Sequence, residues 1–181
     1  VTYPQIFPKW FENRYLEQGY DRARKGKCPF TDDDLDWMSD TVLPALNNAV
    51  TKAANKLKNV WSMGEKVRVK VLIMKEALYG RRLCERGVNL MEHTGLGTWK
   101  GNGAADKTEW VNQIRLNVLG NDYSLPEAAH PNYWGQLAQR NCVRMAYNDG
   151  DPVGGKCKRK SVLVGGLNAR GEPNMRLTNL T

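Results

Sequence analysis

Glu92, His93, His130 and Cys142 are the side chains of this 181-residue chain best suited to covalent or acid–base chemistry. A thiol nucleophile needs an imidazole to take its proton and a third group to orient that ring. Cys142 with His130 meets the first need, and Asn141 or Asp149 the second. A glycoside hydrolase needs two carboxyl groups, one of them in apolar surroundings. Glu92 follows Met91, precedes a glycine-rich stretch carrying Trp99, and has Asp106 or Glu109 as a possible second acid. A metal-independent ribonuclease would use His93 or His130 as its base beside Arg or Lys. Each constellation has a plainer reading. Cysteine is among the residues most often buried, while loop histidines and helix-end acids are commonly solvated. None of these groups is spaced as a signature, so the plainer reading is preferred each time.

The same reasoning leaves no expected metal or cofactor. The four cysteines form no CxxC, and there are only two histidines. The acids of "TDDDLD" are accounted for by the start of a helix, where negative charge is favoured. The loop "TGLGTWKGNGAAD" lacks the GxxxxGK[ST] pattern of a phosphate cradle. Free thiols are expected by default in a chain of this size, with one exception. If "CVRMAY" and "KSVLV" pair as a hairpin, Cys142 and Cys157 approach one another.

Charge carries more information. The formal net charge is +8, a field that attracts phosphate backbones, anionic membranes or acidic partners. Its densest run is "KCKRK", in which Lys156, Lys158, Arg159 and Lys160 are read as phosphate contacts. No aromatic residue is interleaved with them, so base stacking on a single strand is not indicated. A solvated charge run guarding a strand edge is the competing reading. No stretch approaches the ~18 apolar residues of a membrane span.

The elements that must position these residues read as mainly α, with α+β as the alternative. Pro8 and a cationic end predict a helix over 8–24. Thr31 is a good N-cap, and the apolar residues from Leu35 through Leu46 to Leu57 recur at three- and four-residue steps. They predict a long helix, kinked or split at Pro44, with Leu46 in the core. A third helix is expected over 65–85, although the alternation of Val67, Val69, Val71 and Ile73 also suits a strand. Asp106 and Glu109 look like a capping box opening a compact helix that Gly120 ends. A short helix is expected over 132–141. The result is a single domain with a helical body over 1–147 and a turn-rich basic arm over 148–181.

These features favour a non-enzymatic structural or assembly protein of a larger, virion-like particle that lies close to nucleic acid. Its partners would be other protein subunits, in a homo-oligomer or larger assembly. The arm would dock on neighbours through Val162, Leu163 and Val164, too short and too apolar a strand to stand alone. Deleting the tail would then leave the body folded. The alternative is a small basic hydrolase, a ribonuclease-type toxin or cell-wall hydrolase, with its site around Glu92, His93, His130 and Cys142.

Overall fold

The computed structural model describes residues 1–58, 60–62, 64–90, 94–98, 100–114, 128–160 and 166–179. Thr31 opens the first helix as expected. Its Oγ1 accepts from the Asp34 amide at 3.1 Å, and the Asp34 carboxylate accepts from the Thr31 amide at 2.9 Å. Helix α1 (Asp32–Trp37) runs through a π turn (Met38–Val42) into α2 (Leu43–Leu57). Pro44 lacks the N–H that an α-helix would use there, and the wider i→i+5 step just before it absorbs the defect without a break. A small antiparallel ribbon follows, β1 (Trp61–Ser62) with β2 (Glu65–Lys66). Next come β3 (Leu72–Ile73), the short α3 (Ala104–Lys107), α4 (Tyr133–Tyr147), β4 (Gly155–Arg159) and β5 (Met175–Thr178). β4 is central in a three-stranded sheet, parallel to β3 and antiparallel to β5.

This mixed α+β architecture corrects the mainly α expectation, and each difference has a local cause. Over 8–24 there is no long helix, only a 3-10 turn (Trp10–Glu12) and a π turn (Asp21–Lys25). The buried Arg22 donates to the carbonyls of Tyr15, Leu16 and Phe30 and to Asp32, so its fork satisfies acceptors that a helix would have paired internally. Over 65–85 there is no helix, and strand is confined to Glu65–Lys66 and Leu72–Ile73, leaving Val67 and Val69 outside any strand: Leu72 bonds into the sheet, and the chain then turns repeatedly to bury Ala77, Leu78, Leu83 and Cys84. Tertiary burial overrides helix propensity there. Asp106 is not a cap but lies inside α3, and residues 108–114 are non-helical. The Trp110 amide donates to Arg81 O at 2.7 Å and its Nε1 to Ala105 O at 2.8 Å. α4 is longer than expected and begins at Asn132, whose side chain accepts from the Trp134 and Gly135 amides. "CVRMAY" therefore lies on a helix, not in a hairpin strand.

Trp110 is the largest fully buried side chain among the described residues, and it shares one core cluster with Leu78, Leu83, Trp134 and Ala138. α4 crosses it closely because Gly135 has no side chain. A Cβ there would stand 2.2 Å from the Trp110 carbonyl oxygen and 2.9 Å from Pro131 Cβ. Gly135→Ala is therefore expected to cost at least about 1–3 kcal/mol by overpacking. Thermal melts of the two proteins check this, and coincident curves would show that α4 shifts freely.

The tail belongs to this core. β5 bonds along β4, Met175 is buried, and the Glu172 carboxylate is fully buried beneath α4. There it accepts from Arg140 and Arg144 at 2.7 Å. An extended arm separate from a helical body is thus replaced by a strand of the chain's own sheet. Removing the tail would strip β4 of a neighbour and leave both arginines without their acid.

A cationic sheet face as candidate functional site

A strand turns alternate side chains to opposite faces, and "KCKRK", which runs along β4 to one residue past its end, is sorted accordingly. Cys157 and Arg159 point inward and are buried, while Lys156 and Lys160 are exposed and Lys158 is half-exposed. Lys158 pairs in register with Arg176 of β5, also exposed, and Lys156 sits between Ile73 and Thr178. The lysines are spaced about 7 Å apart along the strand. Lys158 has one acid within reach, Glu76 at 3.7 Å. Lys156, Lys158, Lys160 and Arg176 thus form a cationic outer face on a rigid three-stranded platform.

Arg159 is not part of that face, which corrects its assignment as a phosphate contact. Its guanidinium lies 5.3 Å from the centre of the Trp110 ring and 3.9 Å from Asp106, which also faces Arg81 at 3.8 Å. Burial, with Arg159 nearby, lowers the Arg81 guanidinium to about 10, and burial lowers Arg159 as well. Asp106 also accepts from the Gly166 amide at 2.9 Å. It is the shared counter-ion of two buried cations and an anchor for the returning chain.

The inner face is stapled. Cys142 of α4 and Cys157 of β4 are joined in a disulfide with their Cα atoms 5.8 Å apart. That corrects Cys142 as a nucleophile, since a disulfide sulfur has no thiolate to offer. The expected approach of Cys142 to Cys157 does occur, but between a helix and a strand. Cys28 and Cys84 remain thiols and are buried. Burial, then the Cys28 thiol beside it, pushes the Cys84 thiol up, so neither is placed for nucleophilic chemistry.

The remaining candidates are scattered. Glu92, His93, Trp99 and Val162 to Val164 lie outside the described residues. His130 is exposed, with Nδ1 3.0 Å from the Ala128 carbonyl oxygen. Glu109 is buried and accepts from Arg14 at 2.9 Å and from the Cys84 amide at 2.8 Å, as a counter-ion and backbone anchor. Among the described residues no cluster of His, Cys, Asp and Glu could hold a metal, and no helix is long and apolar enough to cross a membrane. Sequence reasoning missed Arg176 and Glu172. The signal for Glu172 was present, since it stands as a single acid in a tail otherwise supplied only with cations.

Neither a protein-family model, nor a curated protein, nor a solved structure matches the chain. Fold and site together define a disulfide-stapled α+β protein with one cationic sheet face.

Proposed function

We propose that this is a non-enzymatic structural protein of a larger, nucleic-acid-containing particle, and that the outer face of its C-terminal sheet holds phosphates without reading sequence. The observation that carries this reading is the alignment of Lys156, Lys158, Lys160 and Arg176 on one face of a rigid sheet. Lysines are point charges suited to phosphate, and none of the four residues stands on a helix able to enter a groove. Affinity should come from counterion release, with log Kobs falling by about 0.9 per contact for each decade of salt on duplex DNA. Of the hydrolase alternative, the thiol form lacks support because Cys142 is in the disulfide, while its carboxylate and histidine forms rest on Glu92 and His93, which lie outside the described residues.

Replacing Lys156, Lys158 and Lys160 together by Ser should flatten the salt slope by about 2.7 while leaving sequence preference unchanged. Arg159 is excluded from the set, because its loss would remove a buried charge rather than a contact. Fluorescence anisotropy of a labelled duplex over a salt series measures the slope. A slope identical to wild type would return the face to a solvated charge run.

A further inference from the structure

Helix α2 carries an apolar stripe that the described residues leave largely uncovered. Leu43, Leu46, Val50, Ala53 and Leu57 follow steps of three and four without exception, and Val60 continues the spacing just past the helix end. That 3.5-residue period is the a/d seam of a coiled coil, narrower than the apolar face of a helix lying on a globular core. Only Leu43 is buried. Leu46 is 45% exposed, Leu57 50% and Val60 43%. Among the described residues, no helix or strand apart from the π turn before it packs broadly on α2. Its first turns are tied to the body by Asn47, which accepts from the Tyr3 amide at 2.7 Å and donates to the Tyr3 carbonyl at 3.2 Å. At its N-terminal end the stripe runs into an apolar groove of about 470 Å³, where Met38, Val42 and Leu46 face Ile6, Phe7 and Pro131.

We propose that a second copy of this chain covers the stripe, with the two α2 helices packed antiparallel about a twofold axis between Val50 and Ala53. Two features of the sequence select this occupant. The first is layer matching: in an antiparallel pair each a residue faces a d residue. A twofold at that point sets Leu46 against Leu57 of the second copy and Val50 against its Ala53. The four layers so formed are all apolar, and Leu43, buried in its own chain, lies outside the seam. The Leu57 end of each helix reaches the partner's groove. The second feature is charge. Residues 32–40 hold Asp32, Asp33, Asp34, Asp36 and Asp40 and no base, whereas 41–58 hold Lys52, Lys56 and Lys58 and no acid. Antiparallel packing carries each lysine-bearing end toward the other copy's acidic end, and it opposes the helix dipoles. Parallel packing would stack like on like along the whole length. The interface is isologous, as a twofold requires.

This interface does not depend on phosphate binding, and molecular mass reads it separately from any salt slope. Light scattering on the full chain at tens of micromolar should give twice the chain mass of 20.5 kDa. Leu46→Glu with Leu57→Glu should halve that mass with an unchanged helix signal, because both sites are exposed in the single chain. Orientation is tested by cysteine placement. Leu46→Cys mixed with Leu57→Cys should give a cross-linked heterodimer on mild oxidation, while Leu46→Cys alone should give none. A monomeric wild-type chain would overturn the proposal. So would a dimer that survives the double Glu variant, or one in which Leu46→Cys cross-links to itself. Should the double Glu variant lose its helix signal, the cysteine pairs decide alone, since they leave the seam almost unchanged.

Discussion

Glu172→Ala is expected to destabilise the protein by about 1–3 kcal/mol, the range for losing hydrogen bonds to a charged group, because the Arg140 and Arg144 side chains left behind are 56% and 34% exposed and stay solvated. In a chain of this size that corresponds to a fall of roughly 2–12 °C in Tm. The carboxylate is fully buried and accepts from Arg140, Arg144 and Asn168. Its amide is fixed as well, donating to Asn168 Oδ1 at 3.0 Å. It is the knot by which the returning chain is held on α4. Without it, Arg140 and Arg144 turn to solvent and β5 loses its lead-in.

The same group sets an acid limit. Burial alone would raise the Glu172 carboxyl, but the hydrogen bonds from Arg144, Asn168 and Arg140 outweigh it and hold the carboxyl below its ordinary value. A carboxyl depressed in the folded state contributes stability that is fully present above its unfolded value and is lost as pH falls through its folded one. Stability should therefore drop below about pH 4.3, the unfolded reference for Glu. In Glu172→Gln the drop should be shallower, because the titrating group is gone. Melts at intervals between pH 2 and 7 test this, and equal acid sensitivity in both proteins would remove Glu172 from the account.

How far the sequence announces this structure depends on the range of the interaction. The cap at Thr31 is legible because a cap is decided by residues two or three positions away; a helix from about Asn132 is legible as well, but its cap emerges only in the structure. The 8–24 segment is not, because Arg22 finds its acceptors only once the chain has folded back on itself. The same holds for Glu109, whose place in a capping box is sound locally yet loses to Arg14 and the Cys84 amide. The stripe on α2 was visible, but apolar periodicity says that a face is covered, not by what. Leu46, expected in the core, is 45% exposed, because periodicity fixes which residues share a face and not whether the chain's own elements cover it. "KCKRK" was legible as charge. Its sorting into outward Lys and inward Cys and Arg follows once the segment is taken as a strand, because the alternation is then fixed. Turning it from a docking arm into the middle of a sheet required β3 and β5, which come from distant parts of the chain.

Reducing the Cys142–Cys157 disulfide is expected to cost about 3 kcal/mol. The two residues are separated by 15 positions, and a loop of that length restricts the unfolded chain by about that much. Neither sulfur is accessible in the folded state, with Cys142 at 0% and Cys157 at 1% exposure. Reduction should therefore follow unfolding, and its effect belongs in an equilibrium measurement. The bond is also the direct covalent tie between α4 and the central strand, so it fixes the inner side of the strand whose outer side bears the lysines. Urea unfolding of the wild type with and without a dithiol reductant should show the midpoint falling under reduction and the slope rising somewhat, because the unlinked chain unfolds to a more open state. Cys142→Ser with Cys157→Ser should unfold at least as early and be indifferent to the reductant. Cys28→Ala with Cys84→Ala, which leaves the bridge in place, should keep the full response. A wild-type midpoint that ignores reduction would show that packing alone holds α4 on the sheet, and a double Ser variant that still responds would place the sensitive bond elsewhere.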